Sequence, residues 1–232
     1  GAGTVLTTEQ ADRAIAAGAK FIVSPGFNPK VVSHCIEKNI PITPGISSPS
    51  DMEQAIEMGL DAVKFFPAVP SGGLSMIKAL AAPYHTMRFM PTGGVTPQNL
   101  TEFLDYPKIL ACGGTWMVKP ELLATGNFEE ITRLTRQTVR TMLDLKIDEL
   151  TLPFPHTGNN LSDALHGLIN LSSGSTKELT ISCRYLKRTI YHLEKNGATF
   201  RYDNAKYDSA GNMDAIDFSD APEEFSIRLI AV

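Results

Sequence analysis

Lys64 stands in the middle of a short apolar run, Ala62-Val-Lys64-Phe-Phe66, that ends at Pro67 and leads into a loop closing on Gly72-Gly73. A lone ammonium in such a run costs several kcal/mol unless the amine deprotonates, and a neutral amine attacks a ketone carbon to form a Schiff base. The competing reading is an edge-strand lysine whose stem packs on the sheet while its head reaches water. Two glycine pairs are the next candidates, Thr92-Gly93-Gly94 and Cys112-Gly113-Gly114-Thr115-Trp116. Glycines let backbone N–H groups approach an oxyanion, so two pairs after consecutive strands suggest a phosphate cradle. Glu9, Glu53 and Glu102 fall on helical patterns as solvated residues, and His34 and His85 read as structural. Cys35, Cys112 and Cys183 are odd in number and widely spaced, so they imply neither a disulfide frame nor a zinc site and read as buried small hydrophobes.

These residues need a scaffold, and the chain supplies a repeating one up to about Leu145. Short β-branched or aromatic runs end in turns at Pro25-Gly26, Pro44-Gly45, Pro67-Ala68, Pro91-Thr92-Gly93-Gly94 and Gly113-Gly114, and Gly1-Ala2-Gly3-Thr4 reads as the end of one more. Amphipathic helices are expected between them at Thr8 to Ala17, Ser50 to Met58 and Pro97 to Asp105, with a further one at Phe128 to Leu143. Strands alternating with helices imply βαβ units and a parallel sheet, and strands lacking strict alternation imply burial on both faces. About six such units fit a (β/α)8 barrel of TIM type, incomplete, with two units lying outside the chain. An open doubly wound sheet is the alternative, and it offers no reason for a lysine inside the sheet. In a barrel, the turns after the strands form the catalytic face. Alternation puts Ala62, Lys64 and Phe66 on one side of their strand, so Lys64 points into the barrel.

Gly59 to Gly72, centred on Lys64-Phe65-Phe66-Pro67-Ala68, resembles the Schiff-base signature of the 2-keto-3-deoxy-6-phosphogluconate (KDPG) and 2-keto-4-hydroxyglutarate (KHG) aldolases. The resemblance runs from Gly1 to about Leu143 and includes Gly1 to Thr4, Ser24-Pro25-Gly26, Pro44-Gly45-Ile46, Pro91 to Gly94 and Gly113 to Trp116 in the family's order. It implies a cofactor-independent class I aldolase that cleaves KDPG to pyruvate and glyceraldehyde 3-phosphate, or 4-hydroxy-2-oxoglutarate to pyruvate and glyoxylate. Lys64 would be the catalytic nucleophile. Thr4, Pro25 and Phe66 would line the pyruvate end, and Thr92, Gly93, Gly94, Gly113, Gly114 and Thr115 would face the phosphate. The family usually has serine where Thr115 stands, and the hydroxyl is retained. Its acid/base glutamate and a phosphate-contacting arginine lie on the second barrel strand, which is expected to fall outside this chain. The resemblance also implies a homotrimer.

The chain is divided here into an aldolase-type barrel at 1–145 and a small α+β domain at 146–232. The second part is expected to hold a strand at Glu178 to Cys183, a helix at Tyr185 to Asn196, and strands at Thr199 to Tyr202, Met213 to Phe218 and Phe225 to Val232. This order resembles the glyoxalase-like (vicinal oxygen chelate) module. In that family, His, Glu or Gln on the first and last strands hold a metal, but the last strand here has no carboxylate, so no metal is expected. Residues 150–173 leave room for one strand and one helix, and His156 and His166 are weak ligand candidates there. The 232 residues are 43% hydrophobic and 20% charged with net charge −4. No basic stripe points to nucleic acid, no apolar run is long enough to cross a bilayer, and no secretion signal is visible, so a cytoplasmic enzyme is expected. Its partner would be a small phosphorylated keto acid. The other reading is a non-catalytic binding or assembly module built on a truncated barrel.

Overall fold

The computed structural model describes residues 1–152, 170–173, 177–221 and 225–232. They form two compact units, Gly1–Leu134 and Thr135–Val232. The first unit alternates helices and strands: α1 (Thr8–Ala16), β1 (Ile22–Val23), α2 (Pro29–Glu37), β2 (Ile42–Thr43), β3 (Gly45–Ile46), α3 (Pro49–Glu57), β4 (Ala62–Phe65), α4 (Gly73–Ala81), β5 (Arg88–Pro91), α5 (Leu100–Leu104) and α6 (Pro120–Ala124). Helix α7 (Phe128–Leu143) carries the chain into the second unit. The boundary read from sequence lies just past the end of this helix, whereas the compact division falls inside it. Leu143, near that end, is buried, and its carbonyl accepts from the Arg184 amide of the second unit.

Helix starts follow their local chemistry. The Thr7 hydroxyl accepts from the Gln10 amide, and the Asn28 carbonyl oxygen of the side chain accepts from Lys30 ahead of Pro29. Ser48 and Asp51 form a reciprocal capping box, so α3 starts at Pro49 rather than Ser50. α5 is shorter than the expected Pro97 to Asp105 helix. The Asn99 side chain accepts from the Thr96 amide and donates to the Gly94 carbonyl, which spends residues 96–99 on a turn.

All strand pairings in this unit are parallel. β1 pairs with β2, and β4 lies between β3 and β5. β2 and β3 are two halves of one passage interrupted at Pro44. Single bridges add Ala2 beside Ile22, and Ile109 and Gly113 beside Phe89 and Thr92. Read across, the order follows the chain without reversal, from Ala2 through β1, β2/β3, β4 and β5 to residues 109–113. A doubly wound sheet reverses its order at a switch point, so this succession favours the barrel type over the open sheet. Val63, Phe65 and Phe89 are fully buried, and a separate cluster of Val5, Ala11, Ile22, Val31, Val32, Cys35 and Ile42 packs α1 and α2 on their strands. Cys35 and Cys183 are buried small side chains as expected, but Cys112 is only half-buried.

The second unit is a six-stranded mixed sheet in the order β7-β6-β8-β11-β10-β9. Its strands are β6 (Lys146–Leu152), β7 (Asn170–Ser173), β8 (Lys177–Cys183), β9 (Phe200–Tyr207), β10 (Met213–Phe218) and β11 (Phe225–Ala231), with helix α8 (Leu186–Lys195) after β8. The single strand expected in 150–173 is corrected: β6 begins earlier, at Lys146, and β7 is a second strand. The alternating charges of Lys146-Ile-Asp-Glu hide β6 in sequence, and antiparallel pairing with β8 supplies what local propensity lacks. β9 likewise runs on past Tyr202 to Tyr207, with an irregular register against β10. His156 and His166 lie outside the described residues.

α8 packs Leu186 and Ile190 against Cys183, Phe200, Ile216 and Leu229. On β11, Arg228 alternates with the core residue Leu229 and so lies on the sheet face away from this core. Its guanidinium there pairs with Asp217 at 2.8 Å and Glu178 at 3.0 Å, tying β10, β11 and β8 together. All three side chains are half-buried or less exposed. Arg228→Ala therefore strips the partner from two partly desolvated carboxylates and should lower unfolding stability of this unit by about 2 kcal/mol. Urea titration checks this, and an unchanged midpoint would show the network to be solvated and neutral.

Candidate active site

Lys64 is on the central strand β4, in register with Gly45 on β3 and Met90 on β5. Its amide donates to the Pro44 carbonyl at 2.8 Å, and the residue is 8% exposed. A central strand and that degree of burial exclude the snorkelling edge lysine. Burial lowers the Lys64 pKa below the ordinary lysine value. Nζ lies 4.5 Å from the centroid of the Phe66 ring, whose face is the cation's neighbour. Among the described residues no carboxylate pairs with Lys64. Glu9, Glu53 and Glu102 are exposed on their helices, and Glu53 accepts from the Tyr84 hydroxyl. His34 is held by Asp12 at 2.9 Å, and His85 is exposed.

The turns after β4 and β5 are strapped together. The Ala68 amide donates to the Thr92 carbonyl at 2.7 Å, Val69 to Gly93 at 2.9 Å, and the Thr92 amide to Phe65 at 3.0 Å. Gly113 donates to Pro91 and pairs with Thr92. Its glycine identity follows from a close approach, since a Cβ there would lie 2.5 Å from the Thr92 hydroxyl oxygen. Gly93 has φ +93°, in the left-handed region. The amides of Gly93, Gly94, Gly114 and Thr115 donate to no acceptor among the described residues. Four backbone donors left open on two neighbouring turns are the arrangement that takes up an anion.

Thr4 and Pro25 end the first two passages of the same ladder. Ala2 pairs with Ile22, and the Val5 amide donates to the Val23 carbonyl. Thr4 borders a cavity of about 410 Å³ whose wall includes Gln10 and Arg13 of α1. Sequence reasoning passed over this pair, for which their i, i+3 spacing on the helix face toward Thr4 was the available signal. A second cavity, of about 390 Å³, lies among Thr8, Pro29, Lys30, Ser33, His34 and Glu37 and holds none of the expected site residues. Among the described residues no group of three metal-ligating side chains is gathered, and no helix is long and apolar enough to cross a membrane.

Residues 1–134 match the family described as KDPG and KHG aldolase. The 2-dehydro-3-deoxy-phosphogluconate aldolase of Treponema pallidum is 54% identical over 140 residues, covering 60% of this chain and 67% of that protein. The KHG/KDPG aldolase of Escherichia coli strain K12 is 40% identical over 139 residues, covering 60% and 65%. Among solved structures, the KDPG aldolase of Legionella pneumophila, with pyruvate captured as a covalent carbinolamine, superposes with TM-score 0.57 at 37% identity, covering 60% of this chain and 67% of that one. The Zymomonas mobilis enzyme with 3-phosphoglycerate gives 0.54 at 38%, covering 60% and 65%. These neighbours give the first unit an α/β TIM-barrel-like fold. The chain spans about two thirds of the length of the relatives it matches.

Proposed function

The chain belongs to the KDPG and KHG aldolase family, and from that premise we infer that its first unit is a Schiff-base aldolase domain acting through Lys64. The observation that carries this reading is a lysine buried on a central strand without a counter-ion. Its substrates are KDPG, cleaved to pyruvate and glyceraldehyde 3-phosphate, and 4-hydroxy-2-oxoglutarate, cleaved to pyruvate and glyoxylate. The neutral amine adds to the C2 ketone, and loss of water leaves an iminium. That iminium accepts the C3–C4 electron pair as the C4 hydroxyl gives up its proton and the aldehyde departs. The enamine then takes a proton at C3, and water releases pyruvate. Phe66 shields the nitrogen, Thr4 and Pro25 close the pyruvate end, and the open amides at Gly93, Gly94, Gly114 and Thr115 receive the phosphate beside the Thr92 hydroxyl, while the Gly113 amide, spent on the Pro91 carbonyl, braces the turn instead of facing the phosphate.

Borohydride reduction in the presence of pyruvate tests the reading. Peptide mass spectrometry should place the adduct on Lys64 alone, and the trapping rate should rise with pH through a pKa below that of free lysine. The sign follows from desolvation: burial disfavours the ammonium, so the nucleophilic form is populated earlier as pH increases. Adducts scattered over surface lysines, or a midpoint at the ordinary lysine value, would overturn it.

The six parallel passages represent consecutive βα units of the eightfold barrel, and their unbroken order supports this. The domain assembles as a homo-oligomer, a trimer by resemblance, in the cytoplasm. Exposed Val118, Leu123 and Phe128 are apolar surface available to such contacts. The second unit is a glyoxalase-like βαβββ module, an assignment supported by the chain order β8-α8-β9-β10-β11 with β11 seated between β8 and β10.

A further inference from the structure

We propose that Gly45 is a positioning residue of the imine site, which yields the place beside Lys64 to the Pro25 peptide. Gly45 and Lys64 are in register on adjacent parallel strands, so their Cβ directions fall on the same face. A Cβ built on Gly45 meets the Pro25 carbonyl oxygen at 2.0 Å, its carbon at 2.3 Å and the Gly26 nitrogen at 2.8 Å. The Pro25 peptide thus occupies the volume that any side chain at 45 would fill. Backbone cannot swing aside as a flexible side chain can, so even a methyl group must move the turn by about 1 Å. Ser24 holds the turn from below: it is buried, and its hydroxyl donates to the Gly26 carbonyl at 2.9 Å. Gly45 itself is buried and its ladder neighbour Pro44 is bonded to the Lys64 amide, so strand β3 has no room to retreat.

Two consequences follow for the amine. The Pro25 peptide fills the place next to Lys64 on the face the two positions share, and a peptide there in place of water favours the neutral, nucleophilic form. The Pro25 carbonyl oxygen also accepts no hydrogen bond among the described residues, so a lone pair stays open for a hydroxyl donor of a bound 2-keto acid adduct. The inference rests on the imine reading given above and assigns a role to a residue that touches neither the substrate nor the nitrogen.

The test compares the full 232-residue chain with Gly45→Ala and Ser24→Ala. One readout is the pyruvate concentration that half-saturates borohydride trapping on Lys64. The other is the rate at which acetic anhydride acetylates Lys64 across pH, which reports exposure and pKa without any imine. Gly45→Ala should lower trapping efficiency by about 10²-fold, the loss expected of a misplacement near 1 Å, and should quicken acetylation while moving its midpoint toward free lysine. Ser24→Ala should shift both in the same direction by a smaller factor, and it decides the matter if Gly45→Ala fails to fold. Trapping and acetylation unchanged in folded variants would overturn the proposal. Absence of trapping in the unaltered chain would overturn the imine reading instead, and acetylation alone would then decide whether Gly45 shields Lys64.

Discussion

Lys64→Ala is expected to abolish imine formation and to reduce cleavage of KDPG by on the order of 10⁴-fold or more, the scale seen when a covalent nucleophile is deleted. Lys64 is 8% exposed between two paired strands, its pKa is lowered by burial, and no carboxylate among the described residues holds it as an ion pair. A structural lysine at such a depth would be expected to have a counter-charge. The same substitution removes a desolvated cation, so it should leave thermal stability equal or higher by about 1 kcal/mol. Loss of trapping together with an undiminished melting temperature is the signature of a functional residue. A collapse in stability with activity lost in proportion would assign Lys64 to the core instead. Trapping with pyruvate is the sensitive readout, because it does not wait on proton transfer from the C4 hydroxyl.

The second large effect is expected at Gly93. Gly93→Asp should weaken KDPG by about 10²-fold while changing 4-hydroxy-2-oxoglutarate much less, because the lost interaction is with the phosphate. Two costs combine at this position. A carboxylate placed beside the open amides of Gly93, Gly94, Gly114 and Thr115 competes for the donors that would receive the phosphate and repels its charge. The backbone at φ +93° also disfavours any side chain, and a Cβ meets Pro67 at 3.3 Å. Gly93→Ala separates the two, since it keeps the steric and conformational cost and drops the charge. If both variants lose the two substrates equally, the turn has been disrupted and the anion assignment falls. Steady-state kinetics on the two substrates at a common ionic strength is the measurement.

The local logic of the first unit was legible because it is written in short-range chemistry. Proline and glycine turns punctuate each strand, and capping residues such as Thr7, Asn28 and Ser48 announce the helices after them. The phase of Lys64 in its strand followed from a two-residue period. α5 was overestimated because the Asn99 side chain competes for the turn, and that choice between two local hydrogen-bond patterns is settled only in the folded chain. β6 starts earlier than the strand expected within residues 150–173, for the opposite reason. Its charged residues carry little strand preference, and its partner β8 lies far along the chain.

Sequence by itself singled out the groups proposed for this protein's chemistry: an amine in an apolar strand, two glycine-rich turns and the family signature around them. Only the tertiary structure decided that β4 is central rather than an edge, which is what strips water from Lys64. It also decided that Gly45 gives up its side-chain volume to the Pro25 peptide and that Arg228 bridges Asp217 and Glu178 across three strands. The physical reason is the same in each case. Burial, close approach and charge pairing depend on residues distant in the chain, and periodicity specifies which way a side chain points but not what it will meet there.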